Sequence, residues 1–181
     1  MRIIAGQWRG RPLLSPAGQA TRPTSDRARE GLFSMLASRL GSFEDLRVAD
    51  LFAGTGALGL EALSRGAAHC TFYEKDRAAL DALARNIDKL KASDQADTRA
   101  QPVEHARPPA LPCDLILMDP PYGTGLAQLA LTKVAEAGWL APGGWLSLET
   151  SGESLDHPAS LTLQVERRFG KAVILLFQAA A

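Results

Sequence analysis

Apolar and polar positions along this chain follow two different periods, and the change of period divides it into strands and helices. From residue 47 onward, short apolar runs alternate with segments whose apolar residues recur every three or four positions. The clearest helical stripe is formed by Leu80, Leu83, Ile87 and Leu90. The pattern predicts strands over 48–52, 70–73, 98–100, 115–118 and 145–148, and helices over 57–65, 77–90 and 126–136.

Strands that alternate with helices are typical of an α/β fold with a mostly parallel sheet. The run over 115–118 is apolar on both faces, as expected of a central strand covered by helices on both sides. Two further strands over 161–168 and 172–177 flank Gly170-Lys171, which predicts an antiparallel pair. We therefore expect a mostly parallel central sheet with an antiparallel C-terminal strand.

The beginning of the chain has a different pattern. Residues 1–22 mix short apolar pieces with glycine and proline, which predicts a small hairpin or arm that depends on docking for its stability. Thr24-Ser25 suits a helix N-cap, and apolar residues then recur at helical spacing until Gly41. We predict an N-terminal arm over residues 1–24 and the main domain over residues 25–181.

Composition supports one folded domain, because 181 residues with 46% hydrophobic content can bury a substantial core. The formal net charge is zero, yet six arginines fall within the first thirty residues against only Asp26 and Glu30. Concentrated positive charge favours contact with a polyanion, since counterion release rewards local rather than net charge. A solvated surface arm explains the same charge equally well.

Other features exclude several classes of protein. Cys70 and Cys113 lie in or beside apolar stretches without C-x-x-C spacing, so we expect buried, reduced thiols. The three histidines have no ligand spacing, and we predict no metal site. No apolar run approaches the ~18 residues of a membrane span, and the N-terminus lacks the apolar stretch of a signal peptide. We therefore expect a cytoplasmic protein without a membrane partner.

A glycine-rich segment follows the first strand of the alternating series and opens a helix. Gly54-Thr55-Gly56-Ala57-Leu58-Gly59 allows a tight turn and a close approach of the backbone to a ligand. Glu74 follows the next strand, where its carboxylate can meet a ribose diol. The two features together favour a nucleoside cofactor.

Asp50 distinguishes between two such cofactors. NAD would bring a pyrophosphate, which a carboxylate at this strand end repels, whereas the methionine end of S-adenosylmethionine carries an ammonium that the carboxylate attracts. Asp50 therefore favours S-adenosylmethionine. The alternative is that Asp50 only caps or orients the following loop, as strand-end aspartates often do.

Asp119-Pro120-Pro121-Tyr122 directly follows the strand over 115–118, at the sheet edge where open α/β folds bind ligands. An exocyclic base amine is a poor nucleophile, because its lone pair is delocalised into the ring. The Asp119 carboxylate and the Pro120 carbonyl can accept its N–H groups and stabilise the charge that develops during methylation. Tyr122 offers a ring face for an unstacked base. The alternative is a rigid strand-to-helix turn with Tyr122 as a packing residue.

Several motifs occur in one order along the chain. They are Arg2-Ile3-Ile4-Ala5-Gly6, Trp8-Arg9-Gly10-Arg11, Arg22-Pro23-Thr24, Asp26-Arg27, Asp50-Leu51-Phe52-Ala53-Gly54-Thr55-Gly56, Ser64-Arg65-Gly66-Ala67 and the Asp-Pro-Pro-Tyr loop. Together they resemble the RsmD family over nearly the whole length of the chain. The resemblance implies a Rossmann-like class I methyltransferase that methylates a guanine N2 of bacterial small-subunit (16S) ribosomal RNA with S-adenosylmethionine.

The resemblance also implies roles for individual residues. Relatives carry an aspartate after the third strand to meet the adenine amino group, whereas this chain has Gln101-Pro102-Val103-Glu104, so Gln101 or Glu104 would have to take that part. A monomer acting on the small ribosomal subunit is expected. The implied cofactor contacts are Thr24, Asp50, Gly54, Gly56, Glu74 and Gln101, the catalytic residues are Asp119, Pro120, Pro121 and Tyr122, and the RNA contacts are Arg2, Arg9, Arg11 and Arg22.

Two other functions remain open at this point. The same acidic-Pro-Pro-aromatic loop serves other planar amines, so a DNA adenine-N6 or protein-glutamine methyltransferase is the rival among enzymes. The arginine-rich arm and the lack of a separate DNA-recognition domain favour RNA. A non-catalytic RNA-binding or assembly protein that keeps a nucleoside pocket is the rival of another class.

Overall fold

The structure, a computed structural model, describes residues 1–16, 23–136 and 138–181, without the side chains of residues 23–25. Its helices are α1 (Pro23–Leu40), α2 (Ala57–Ser64), α3 (Arg77–Leu90) and α4 (Leu126–Val134). Its strands are β1 (Arg47–Leu51), β2 (His69–Glu74), β3 (Ala96–Ala100), β4 (Cys113–Met118), β5 (Leu140–Thr150), β6 (Leu161–Phe169) and β7 (Ala172–Ala179).

These strands form a seven-stranded sheet in the order β3-β2-β1-β4-β5-β7-β6. The pairs from β3 through β5 are parallel, and β7 is antiparallel to both β5 and β6. The predicted α/β fold with a mostly parallel sheet is confirmed. Because consecutive strands run outward in both directions from the β1–β4 pair, the strand order reverses there, and this is where such sheets hold ligands.

The core has two halves, one on each face of the sheet. The half that contains Phe33, Leu63 and Leu83 packs α1, α2 and α3 against one face. The other half packs Leu131 of α4 and Trp139 against the opposite face. Within β4, Leu115 and Leu117 point to the first half and Ile116 and Met118 to the second, so this strand is buried on both sides as its apolar run predicted.

Most element boundaries differ from the prediction by one or two residues, and the starts of α1 and β5 show why. The first helix begins at Pro23 rather than after Thr24-Ser25, because proline is well tolerated in the first turn, where a backbone N–H has no helical partner. Strand β5 begins at Leu140 and includes Pro142-Gly143-Gly144, where the pairing with β4 shifts register. Proline and glycine concealed this extension, since they usually mark a turn.

The N-terminal arm is a narrow hairpin whose strands run antiparallel. Arg2 bridges Pro12, and the Ile3 N–H donates to the Arg11 carbonyl at 3.0 Å. Ile3, Trp8 and Leu13 are at most 7% exposed and belong to the same core half as α1 to α3. The arm is therefore part of the folded core along one side and exposed to solvent on the other.

Buried polar side chains of α2 and α3 fasten this arm. Glu61 accepts the N–H groups of Ile4 and Ala5 at 2.8 and 3.0 Å, and the Ser64 hydroxyl accepts the Trp8 N–H at 3.0 Å. Asn86 accepts the Leu14 N–H at 2.7 Å and donates to the Thr55 carbonyl at 2.9 Å. The arm thus depends on docking, as the sequence predicted, and Asn86 connects its end to the glycine-rich loop.

Helices long and apolar enough to cross a membrane are absent from the part of the chain that the structure describes. Over the same residues, no three His, Cys, Asp or Glu side chains are grouped so as to hold a metal ion. Both cysteines are free and buried, as predicted, and burial raises the pKa of the Cys113 thiol to about 12.

Candidate active site

The carboxyl ends of β1, β2, β4 and β5 meet at one edge of the sheet and form the floor of a large cleft. Its volume of about 1280 Å³ accommodates a nucleoside cofactor together with a second planar group. The lining residues are Ala28, Phe52, Tyr73, Glu74, Lys75, Gln101, Pro102, Val103, Glu104, Asp119, Pro120, Pro121, Tyr122, Leu126, Glu149, Ser151, Arg168, Gly170, Lys171 and Ala172.

The glycine-rich loop turns from β1 into α2 beside this cleft. The N–H groups of Phe52 and Ala53 donate to the Tyr73 carbonyl at 3.2 and 2.9 Å, which fixes the start of the loop on β2. Gly56 has a φ of +89°, and a Cβ atom there would lie 2.5 Å from Leu83 Cδ1. Only glycine suits this position, so the loop has the tight turn that the motif predicted.

Asp50 lies beneath the loop at the end of β1 and is only 1% exposed. Its Oδ2 accepts the Gly59 N–H at 2.9 Å, whereas Oδ1 has no hydrogen-bond partner among the described residues. Burial raises the pKa of the Asp50 carboxyl to about 7, although the hydrogen bond from Gly59 opposes the rise. One oxygen therefore orients α2, as the alternative interpretation holds, and the other can still accept a donor.

Glu74 is held rigidly in the wall of the cleft. Its Oε2 accepts the Gly54 N–H at 2.8 Å, and its Oε1 accepts the N–H groups of Lys75 and Asp76, each at 2.8 Å. A carboxylate has about four acceptor sites, so capacity remains for a hydroxyl group of a ligand. Gly54 and Gly56 thus form the loop behind Glu74, and Glu74 itself faces the cleft.

The segment after β3 forms another part of the wall. Gln101 and Glu104 both line the cleft, and Val103 between them is only 3% exposed. The two residues that the sequence offered for an adenine amino group are therefore both at the cleft. The side chain of Thr24, the other predicted cofactor contact on this side, lies outside the described residues.

The Asp-Pro-Pro-Tyr loop leaves β4 beside the end of β5, because Met118 is paired with Leu148. All four of its residues line the cleft. The Tyr122 hydroxyl donates to Glu149 Oε1 at 2.6 Å, which fixes the tilt of the ring. Tyr122 is half-buried, so part of its ring remains available to the cleft.

Sequence reasoning missed several residues of this site. Glu149 is the penultimate residue of β5, next to the Asp-Pro-Pro-Tyr loop, and no motif marks it. Phe52 has a φ of +86°, a strained conformation for a bulky residue, and such strain gathers at functional sites. Arg168, near the end of β6, and Lys171, in the turn to β7, reach the cleft, a contact that only the position of β7 beside β5 reveals.

The predicted RNA-contacting arginines that the structure describes are not lining residues of the cleft. Arg2, Arg9 and Arg11 are exposed on the arm, and Arg22 lies outside the described residues. Trp8, next to Arg9, is bonded to Ser64 at the end of α2, whereas the glycine-rich loop precedes the start of this helix. Eight helical residues span about 12 Å, so the tip of the arm is about that far from the glycine-rich loop.

Comparison with known proteins agrees with this geometry. A family model described as Conserved hypothetical protein 95 matches residues 1–178. The Escherichia coli (strain K12) protein named Ribosomal RNA small subunit methyltransferase D is 38% identical over 183 aligned residues, covering 100% of this chain and 91% of the relative. The chain belongs to the family of Ribosomal RNA small subunit methyltransferase D. The resemblance to the RsmD family is thereby confirmed.

Solved structures of methyltransferases have the same fold as this chain. The structure of the Escherichia coli protein yhhF has a TM-score of 0.87 at 38% identity and covers 100% of this chain and 98% of that one. The magnesium protoporphyrin IX methyltransferase of Synechocystis PCC 6803, solved with bound SAM, has a TM-score of 0.66 at 13% identity and covers 90% of this chain and 87% of that one. The second likeness concerns the fold alone, which is that of a Rossmann-like class I methyltransferase.

Proposed function

We propose that the protein transfers a methyl group from S-adenosylmethionine to the exocyclic N2 amine of a guanine in 16S ribosomal RNA. The observation that carries this proposal is that the Asp-Pro-Pro-Tyr loop and Glu74 line the same cleft. Family membership supports the substrate class, since the Escherichia coli relative is a Ribosomal RNA small subunit methyltransferase D. We propose that the enzyme acts as a cytoplasmic monomer on an assembled or assembling small subunit.

The residues of the cleft fit S-adenosylmethionine, which supplies a methyl carbon made electrophilic by its sulfonium. Glu74 would accept hydrogen bonds from the ribose hydroxyls, and Gln101 or Glu104 would meet the adenine amino group. Asp50 Oδ1 is a buried oxygen without a partner among the described residues, and it would attract the ammonium of the methionine end directly or through water. An acidic wall of this kind suits a cationic ligand.

The remaining cofactor contacts that we propose come from the backbone and from α1. Gly54 and Gly56 would let the loop approach the methionine end closely, because neither position has a Cβ atom. Thr24, at the start of α1, would close over the cofactor. Ala28, one turn further along α1, lines the cleft and supports a role for this end of the helix.

Asp119 and Pro120 would act on the acceptor amine. The Asp119 carboxylate and the Pro120 carbonyl accept its two N–H groups, which points the nitrogen lone pair at the methyl carbon. As the nitrogen–carbon bond forms and the carbon–sulfur bond breaks, the positive charge that develops on nitrogen is stabilised by the carboxylate. The amine then loses one proton to Asp119, and the second N–H remains on the methylated product.

Tyr122 would hold the base in place. Its ring provides a stacking surface worth about 1–3 kcal/mol to an unstacked base, and Pro121 stiffens the loop beneath it. The hydrogen bond to Glu149 prevents the ring from rotating away, so the surface is ready before the base arrives. A guanine in folded RNA would have to be extruded to reach it.

The acceptor is tested by mapping the product. Purified small subunits, or their rRNA, are incubated with methyl-labelled S-adenosylmethionine, digested with nuclease and analysed by mass spectrometry. We expect N2-methylguanine at one nucleotide. Labelled N6-methyladenine would contradict the acceptor, while cofactor binding without transfer to any rRNA substrate would favour the assembly-protein alternative.

Asp119→Ala tests the catalytic role. Loss of a group that stabilises developing charge lowers turnover by about 10²–10³-fold, and we expect cofactor affinity, measured by calorimetry, to change by less than about twofold. Asp81→Ala is the matched control, because Asp81 is exposed on α3 and is not a lining residue of the cleft. Unchanged turnover in the Asp119 variant would refute the role.

A further inference from the structure

The β6–β7 hairpin places basic side chains at the rim of the cleft, with Arg167 and Arg168 near the end of β6 and Lys171 in the turn. Arg167, Arg168 and Lys171 are all exposed, and two of them, Arg168 and Lys171, line the cleft together with Gly170. The turn reaches this position because β7 runs antiparallel to β5, with Val173 paired to Thr150 at the carboxyl end of β5. It therefore stands next to Glu149 and the catalytic loop.

This turn is anchored from two sides. On one side, Phe169 packs against α1 so closely that a Cβ atom at Gly31 would lie 2.3 Å from Phe169 Cζ. On the other side, the Arg168 guanidinium lies over the bend after β5, with Nη2 3.0 Å from where a Cβ of Gly152 would be. The backbone of the hairpin and the Arg168 guanidinium are thus held near one position, which reduces the entropy that a ligand must overcome to order them.

The two signs of charge come from different elements around the cleft. The carboxylates Glu74, Asp119 and Glu149 stand at the ends of the parallel strands that form its floor, whereas Arg168 and Lys171 stand on the β6–β7 hairpin. Among the residues that the structure describes, no carboxylate forms an ion pair with Arg167, Arg168 or Lys171. A ligand that brings an amine to the floor and anionic groups to the rim matches this arrangement.

We propose that Arg168 and Lys171 bind the phosphates that flank the target nucleotide of the RNA, and so hold the strand while its base occupies the cleft. This inference rests on the proposed function, because it takes RNA as the acceptor. An extruded base remains joined to its neighbours through phosphates that must stay outside the cleft, and cationic side chains at the rim are placed to meet them. The turn positions the strand and takes no part in methyl transfer itself.

The test compares two variants that each remove two positive charges. Arg168→Ala/Lys171→Ala changes the rim, and Arg85→Ala/Lys91→Ala changes exposed positions on and just after α3, outside the cleft. Transfer to small-subunit rRNA gives KM and kcat, and filter binding of the same RNA gives Kd over a range of salt concentrations. Calorimetry with S-adenosylmethionine and thermal unfolding establish that cofactor site and fold are intact.

For the rim variant we expect KM and Kd to rise about tenfold, with kcat at saturating RNA and cofactor affinity unchanged within about twofold. The slope of log Kd against log salt should decrease by about 1.4, the value for two phosphate contacts on a single strand. If the rim variant kept the KM of the wild-type enzyme, or if KM rose equally in the α3 variant, Arg168 and Lys171 would not be the phosphate contacts. Either result would leave the proposed guanine N2 acceptor unaffected. No transfer to rRNA by the unmodified enzyme would instead overturn the proposed function.

Discussion

The molecule has two basic hairpins, and only one of them contributes lining residues to the cleft. The N-terminal arm carries Arg2, Arg9 and Arg11, and its tip, next to Arg9, is held at the end of α2. The β6–β7 hairpin carries Arg168 and Lys171 at the rim of the cleft itself. Density of charge along the sequence therefore identifies a segment able to bind a polyanion, whereas position on the sheet decides which segment is near the chemistry.

The two hairpins also differ in how they are anchored. The arm is held by side chains of α2 and α3 that accept its backbone N–H groups, with Glu61 at the centre. The β6–β7 hairpin is part of the sheet, and Phe169 fixes its turn against Gly31. Loss of one buried side chain should release the arm, whereas the second hairpin can only be shifted locally.

Glu61→Gln should have the largest effect, and the effect should be on stability. The buried carboxylate accepts two backbone N–H groups and pairs with Arg65 at 2.9 Å, and an amide can replace only part of this. We expect a loss of about 3 kcal/mol in the free energy of unfolding, measured in urea. Glu44→Gln, at an exposed position, is the control. A loss below ~1 kcal/mol would mean that the arm is not anchored through Glu61.

Gly31→Ala should have a smaller effect, and the effect should be on the KM for rRNA. The added methyl group would displace Phe169 and with it the adjacent turn, while alanine in a helix regains about 1 kcal/mol of stability over glycine. We expect KM for rRNA to rise about threefold with little change in the unfolding midpoint. Ser34→Ala raises helix propensity on an exposed face of α1 and should leave KM unchanged. Equal KM values in both variants would show that the turn does not depend on this contact.

Arg9→Ala/Arg11→Ala should have the smallest effect. Both side chains are exposed and remote from the catalytic loop, so they can add only general attraction to a large RNA. We expect Kd for small-subunit rRNA to rise about twofold at low salt and the difference to disappear at high salt. If this pair weakened binding more than Arg168→Ala/Lys171→Ala does, the arm would be the main RNA contact and the comparison would be reversed.

Local pattern predicted much of the fold, because strands and helices here follow their hydrophobic periods closely. The stripe from Leu80 to Leu90 became α3, and the apolar run before Asp119 became the central strand β4. The pattern failed at β5, where Pro142 and two glycines resemble a turn but lie within a strand.

The candidate site was predicted only where a motif marks it. Glu74 and Asp119 sit at strand ends next to recognisable loops, so topology alone brings them together. Glu149 and Arg168 come from strands far along the chain, and their arrival at the cleft depends on strand order, which single residues do not encode. The sequence also did not show which partner Asp50 has. Its carboxylate could have accepted hydrogen bonds from the protein backbone alone or from a ligand alone, and the structure shows that one oxygen accepts the Gly59 N–H.

The hydrogen bonds of Asn86 determine the order in which segments of the chain can pack during translation. Its partners Leu14 and Thr55 are 72 and 31 residues away along the chain. A chain synthesised from its N-terminus therefore exposes the arm before α3 exists, and the packing of Ile3, Trp8 and Leu13 can be completed only once α3 has emerged. The arm thus docks only after a residue 72 positions further along the chain has been added.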